Sequence, residues 1–396
     1  MVDNNRQLYY VGLAALLVFA WFAVFLSRRD ERVVYAQAGQ VPYNSPSPTD
    51  KLAKPALSDA ISALFDSIKH DPASPEYIDG FGKKFVANQT IWTKPLGKKL
   101  LIVDIDTRMP TDSNQILNPE KLNFERLEMG GGGLVSNAIM HHYLYAMIHG
   151  YDYKFYQARS IPGHWDTWIM PHALRELIPD YAFVVAMDAD VTLSHMEVPL
   201  EWMFNRWGIQ EHTCMALPWD TMEFRGGEPI SVDSKGLRVL NTGLVVVQDS
   251  STTRDMLEKW RDCTTEKRYA GCARWKVEWS HEQRAFSEYI RYDYNFTPET
   301  IVSIDCDDAV GWPGFAAENL DREGITDCSG NFFRHYTIAK HHVKEAAMLS
   351  VMNSLADIMQ KQVLQQQDTI WYKEPARAGS AEAKLEAALM LEGLGT

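Results

Sequence analysis

Apolar residues along this chain fall into two rhythms. One is a series of short runs that each end in a polar step: "KKLLIVDIDTRM" from Lys98, "YDYKFYQA" from Tyr151, "YAFVVAMDAD" from Tyr181, "HTCMALPWD" from His212 and "LNTGLVVVQDS" from Leu240. Runs this short and this apolar read as strands covered on both faces. The other rhythm is helical. Ile139, Met140, Tyr143, Leu144, Met147 and Ile148 keep one face, with Ser136-Asn137 placed to cap the start and Gly150 to end it. "DTWIMPHALRELIP", with an interruption expected near Pro171, then "EVPLEWMFNRWG", "TTRDMLEKWRDC" and "SHEQRAFSEYIR" read as further helices. Strand alternating with helix predicts an α/β fold, a mostly parallel sheet flanked by helices. In such sheets ligands sit at the carboxyl ends of the strands.

The pattern also divides the chain. Residues 8–26, "LYYVGLAALLVFAWFAVFL", carry no charge and lie between Arg6 and Arg28-Arg29. At about 1.5 Å per residue they suit a hydrocarbon core of about 30 Å, and they exceed the apolar stretch of a cleaved signal peptide. They predict a transmembrane signal anchor behind a cytosolic tail at 1–7. Residues 27–95 read as a stem, rich in Pro and Ser at "VPYNSPSPTDKLAKPALS". A short amphipathic helix is expected within it, on residues 57, 61, 64, 65 and 68. The folded domain is expected at 96–350, with a helical tail at 351–396.

Orientation is read from opposing cues. Arg28, Arg29 and Arg32 outweigh Arg6, which by the positive-inside rule puts the bulk of the chain in the cytosol. The sequons at Asn88 and Asn295 and five cysteines between Cys214 and Cys328 point to a lumen instead. The cysteines could pair as Cys263–Cys272 and Cys306–Cys328 with Cys214 left over, although sequence does not fix connectivity.

A formal charge of −13 leaves no basic surplus to neutralise phosphates, so nucleic acid is excluded as a partner. The abundance of aromatics (12 Trp, 17 Tyr, 16 Phe) excludes a disordered or fibrous chain.

The chemistry centres on Asp188-Ala189-Asp190, after a buried strand. Aspartate favours turns, so the pair could simply end the strand. In extended chain, however, two carboxylates one residue apart point the same way and repel unless a cation or proton lies between them. Mn²⁺ or Mg²⁺, held by one or two carboxylates and a substrate diphosphate, meets that need. A rival reading is a phosphatase of the haloacid-dehalogenase kind, with Asp188 as nucleophile and Asp190 as acid, a pattern that Asp104 and Asp106 imitate. It requires a later acidic group, for which Asp305, Asp307 and Asp308 are available.

Downstream come "LNTGLVVVQDS" (240–250), "WSHEQRAFSEYI" (279–290) and "FFRHYTIAKH" (332–341). With Asp-X-Asp before them, this series resembles the GT-A glycosyltransferases, and most the membrane-anchored family of fungal α-galactosyl- and α-mannosyltransferases and plant xyloglucan xylosyltransferases. The resemblance covers Val135 to His341. It implies a GT-A (Rossmann-like) fold in which Asp188 and Asp190 bind Mn²⁺ and, through it, the donor diphosphate. A histidine near the C-terminus completes the metal site, and a lysine five residues on contacts the diphosphate, a spacing that His335 and Lys340 have. Asn241-Thr242-Gly243 borders the donor sugar, and Glu282 and Gln283 face the sugars. The family usually has Asp-Asp-Gln where this chain has His281-Glu282-Gln283, and it lacks the usual Gly and Cys after the histidine, so His341 and His342 stay open as ligands.

The same resemblance implies a type II Golgi membrane enzyme with a luminal catalytic domain. It would move a hexose from a UDP or GDP sugar to a glycan or glycoprotein, with retention of configuration. A non-catalytic subunit of a glycosyltransferase complex is the other class left open. "MGGGGL" (129–134) lacks Gly-Lys-Ser/Thr and reads as a flexible loop near the donor. Trp165, Trp168 and Trp219 could stack on sugars or fill the core.

Overall fold

A computed structural model describes residues 56–374, 376–381, 383, 384 and 388. The expected anchor at 8–26, the tail before it and the stem up to 55 lie outside the described residues. Among the described residues no helix is long and apolar enough to cross a membrane.

Strands β1 (Glu76–Ile78) and β2 (Lys84–Val86) form an antiparallel hairpin. Then come β3 (Leu100–Asp106), β4 (Asp152–Gln157), β5 (Phe183–Met187), β6 (Val191–Leu193), β7 (Met215–Pro218), β8 (Phe224–Arg225) and β9 (Glu228–Pro229). The series ends with β10 (Leu244–Gln248), β11 (Ile301–Ile304) and β12 (Phe333–His335). Six of them make the central sheet, in the order β11-β7-β10-β5-β3-β4. The pairs β11/β7, β5/β3 and β3/β4 are parallel, as expected, whereas β10 runs antiparallel to both neighbours. That reversal carries Asn241-Thr242-Gly243, at the start of β10, to the edge where β5 ends, with Leu244 opposite Met187.

The sheet is covered on both faces, which explains its unbroken apolar runs. Leu100, Ile102, Phe183, Val185, Leu244 and Val246 point into one core, with Tyr145, Trp202 and Phe332. Leu101, Val103, Val184, Ala186, Val245 and Val247 point into the other, with Trp168, Trp260 and Phe286. This strict alternation is the period of two that extended chain imposes.

Several local expectations need correction. The helix expected to start at Ser136-Asn137 starts at Gly131 and runs to His149. Its first turn is the glycine run that had read as a loop. A Cβ on Gly133 would sit 2.2 Å from the Glu128 carbonyl, so the chain at 127–128 passes too close for a side chain. Ser136 donates to the Gly132 carbonyl and accepts from Ile116 N–H, a tertiary role rather than a cap. Pro171 does not interrupt its helix, Ile169–Leu177, because it stands in the first turn, where N–H groups lack intrahelical partners anyway.

Residues 57–95 belong to the folded domain and not to a stem. Phe65, Ile68, Tyr77 and Phe85 are buried in the first core. The expected boundary at 350/351 falls inside a helix, Val343–Gln365, whose buried face runs Val343, Ala347, Ser350, Ser354, Ile358.

The cysteine pairing Cys263–Cys272 and Cys306–Cys328 is present, and Cys214 is free and buried. Asn295 is exposed, whereas the Asn88 amide donates to the Arg206 carbonyl.

Candidate functional site

A cleft of about 1120 Å³ opens where β3, β5 and β7 end and β10 begins. Asp188 and Asp190 follow β5 directly. Asp188 N–H is held by the Gly243 carbonyl (2.9 Å), tying the Asp-X-Asp turn to the Asn-Thr-Gly segment. β6 then pairs antiparallel with β12, placing Val191 opposite His335. A strand pairing of chain segments over 140 positions apart thus brings the histidine to the carboxylates.

His335 Nε2 lies 3.3 Å from Asp190 Oδ1 and 3.7 Å from Asp188 Oδ2, and Lys340 Nζ lies 2.9 Å from Asp190 Oδ2. One ligand atom from each of Asp188, Asp190 and His335 falls within 4.8 Å of the others. His341 and His342 do not join this group: His342 faces Glu318 at 3.2 Å, and His341 packs on His342.

This donor set fits a divalent cation. Asn241 Oδ1 is 3.1 Å from His335 Nδ1 and also accepts from Gly243 N–H at 2.8 Å. With Nδ1 donating there, the Nε2 lone pair faces the carboxylates, the orientation a metal-ligating imidazole needs. Two carboxylates and one imidazole suit Mn²⁺ better than Mg²⁺, which favours an all-oxygen shell.

The charges are uneven. Burial and then Asp190 push the Asp188 carboxyl up to about 6, although its side chain is 40% exposed to the cleft, so water screens part of that shift. Burial also pushes Asp190 up, but His335 and Lys340 outweigh it and hold the carboxyl below its ordinary range. For His335, burial lowers and Asp190 raises, with a net rise. One carboxylate is thus committed to the ionised form and the other is poised to follow, a pair that titrates as a unit.

Gly243 explains why this position has no side chain. A Cβ there would lie 2.2 Å from His335 Cε1 and 2.4 Å from Nδ1. Gly243→Ala is therefore expected to leave the fold intact but turn the imidazole away, weakening Mn²⁺ binding about 10- to 100-fold, as for other losses of ligand support. Calorimetric titration with Mn²⁺, alongside circular dichroism, checks this.

The start of the helix at His281–Ala285 also lines the cleft. Glu282, 3% exposed, accepts from Thr242 Oγ1 at 3.0 Å and from Thr167 Oγ1. Burial pushes its carboxyl up to about 7. Gln283 accepts from Thr242 N–H at 3.1 Å and donates to Asp220 at 2.9 Å.

Asn241, expected among the catalytic groups, lines the cleft beside His335. Besides His335 it contacts Asp220, to which its amide donates at 3.1 Å. Asp220 and Thr167 were missed in the sequence. Asp220 had a signal, since it ends the apolar run "HTCMALPWD" just as Asp188 ends its own; Thr167 had none. Trp168 is buried with its indole donating to the Trp275 carbonyl, and Trp219 packs against both the second core and the Cys306–Cys328 cluster, so these two are structural. Trp165 lines the cleft.

Of the further acidic residues named for the rival phosphatase reading, Asp106 lines the cleft, paired with Arg108, and the others lie elsewhere. Asp104 is buried against His142 and Tyr153. Asp308 binds Arg206 and Trp207, Asp305 caps the helix at 306–309, and Asp307 accepts from Ser329. None of these four lines the cleft.

No family model and no curated protein matches the chain. Among solved structures it is similar to a glycosyltransferase involved in glycosylation of the major capsid of PBCV-1, at 13% identity over 63% of this chain and 98% of that one, with a TM-score of 0.38. It is also similar to mouse xyloside xylosyltransferase 1, at 11% identity over 61% and 98%, with a TM-score of 0.33. A third likeness is to an active-site mutant of LgtC, at 12% identity over 62% and 95%, with a TM-score of 0.32. Likenesses this low carry no argument by themselves, and the functional reading rests on the site.

Proposed function

We propose that this chain is a metal-dependent glycosyltransferase that moves a hexose from a nucleotide sugar to a glycan acceptor. The observation that carries the reading is the gathering of two groups in the lining of one cleft. Asp188, Asp190, His335 and Lys340 form the cation- and diphosphate-binding wall, and Glu282 with Gln283 forms the sugar-facing wall. A bound divalent cation, Mn²⁺ in this reading, supplies charge neutralisation for the departing diphosphate.

The chain's own residues do the rest. Lys340 adds a positive charge beside Asp190. Thr242 and Gly243 border the sugar, and Gly243 leaves the space that the His335 imidazole fills. Glu282 presents a buried carboxylate to the cation-like sugar of the transition state. The bond from the anomeric carbon to the diphosphate oxygen breaks, and the bond to the acceptor oxygen forms. The acceptor proton passes to the leaving diphosphate, so a retaining reaction on one face requires no separate base.

A type II membrane enzyme of the Golgi lumen, held by a signal anchor at 8–26, completes the proposal. Two disulfides support an oxidising compartment. The intact Asp-Asp-His group with Lys340 supports an active enzyme over a silent subunit.

Calorimetry on the full chain in detergent, titrated with UDP and with GDP, each with and without Mn²⁺, tests this. Binding of one nucleotide only in the presence of Mn²⁺ is expected. Binding of neither sinks the reading.

A further inference from the structure

At the outer lip of the cleft, two tryptophans stay open to solvent. Trp165 is 54% exposed and Trp279 is 71% exposed. Large aromatics left exposed inside a concave site are informative, because burying them would have favoured folding. Trp165 is also not loose: its ring stacks on His281 with centroids 4.8 Å apart and planes 1° from parallel. Trp279 stands edge-on to the same imidazole, with centroids 5.6 Å apart at 80°. The result is a flat aromatic platform with a side wall, backed by a ring whose own backbone is held at φ 52°.

Its chemistry is specific. Among the described residues neither indole N–H has a partner in the protein, so both are free to donate to a hydroxyl. Burial lowers His281's pKa, which favours the uncharged ring in the platform. An amphipathic aromatic face with a polar tip suits a ligand that is apolar on one face and hydroxylated at its rim.

Position completes the argument. His281 adjoins Glu282 in the chain, and Thr167, two residues from Trp165, donates to Glu282. A ring on the platform therefore lies in the cleft that Glu282 and the Asp188–Asp190 pair also line.

We infer that Trp165, Trp279 and His281 form the acceptor subsite and stack a neutral pyranose of the glycan that receives the sugar. This rests on the transferase reading, and the two are separable by experiment.

The full chain, with Mn²⁺ and whichever of UDP or GDP binds, is titrated with methyl α-mannopyranoside, methyl β-galactopyranoside and methyl β-glucopyranoside. Saturation-transfer NMR and tryptophan fluorescence report binding. Saturation transfer to the ring C–H protons of at least one glycoside is expected. Trp165→Ala should weaken that binding about tenfold, the loss of one aromatic contact of about 1.4 kcal/mol. Trp165→Phe should retain most of it, and Mn²⁺-dependent nucleotide binding should be unchanged in both variants. Nucleotide binding without any glycoside signal, or glycoside binding equal in wild type and Trp165→Ala, overturns the platform and leaves the transferase reading standing. Glycoside binding that depends on Trp165 in a chain binding neither nucleotide sinks the transferase reading and keeps the sugar site.

Discussion

Asp190→Ala is expected to abolish Mn²⁺-dependent nucleotide binding and to lower turnover by about 1000-fold or more, the scale on which electrostatic groups act at a reacting centre. The effect is large because Asp190 has three duties. It is the buried, firmly ionised carboxylate of the pair, it faces His335 Nε2 at 3.3 Å, and it anchors Lys340 Nζ at 2.9 Å. Removing it takes one ligand group out of the Asp188–Asp190–His335 cluster and leaves Lys340 without its carboxylate partner. Asp190→Asn, which keeps volume and hydrogen bonding, should lose metal binding nearly as completely. Calorimetry with Mn²⁺ and nucleotide on both variants separates charge from packing. Wild-type Mn²⁺ affinity in Asp190→Asn would remove Asp190 from the metal site.

Glu282→Gln should slow sugar transfer by about 100-fold or more while making the protein more stable at alkaline pH. The stability half follows from burial. A carboxyl whose pKa rises on folding favours the folded state while protonated and opposes it once ionised. The contribution is therefore present below the ordinary value of 4.5 and declines as pH rises from there to about 7. A shift of that size, at about 1.4 kcal/mol per unit, is worth about 3 kcal/mol. Glutamine stays neutral and keeps an oxygen for the Thr242 hydroxyl. Chemical denaturation at pH 4.5 and pH 8 should show the variant similar to wild type at the lower pH and more stable at the higher. A variant that is less stable at pH 8 would mean Glu282 is structural. One that is equally active would remove it from the chemistry. Gain in stability with loss of rate is the mark of a group kept charged for function.

Much of the architecture was legible in the chain because strands covered on both faces need no polar alternation. Their apolar runs stand out between helices of a different period. The apolar runs from Lys98, Tyr151, Tyr181, His212 and Leu240 each contain a strand, at 100–106, 152–157, 183–187, 215–218 and 244–248. The errors share a cause. The start of the helix at Gly131 depends on a loop 127–128 pressing on its first turn, and the membership of residues 57–95 depends on Phe65 and Tyr77 reaching a distant core. Neither contact has a local signature. The direction of β10 was likewise invisible, since a run of valines pairs equally well either way.

At the site, the sequence by itself determined where the carboxylate pair stands. Asp188 and Asp190 end a buried strand one residue apart, and extended geometry puts both carboxylates on one side. Their mutual repulsion calls for a cation or a proton between them. Only the tertiary structure decided what completes the site. Pairing of β6 with β12 selected His335 over His341 and His342, and reversal of β10 turned Asn241 into the group that orients it. Stacking of His281 left Trp165 facing the cleft while Trp168 went to the core. Local chemistry is set by spacing along the chain, whereas strand pairing joins segments whose order in sequence says nothing of their distance in space.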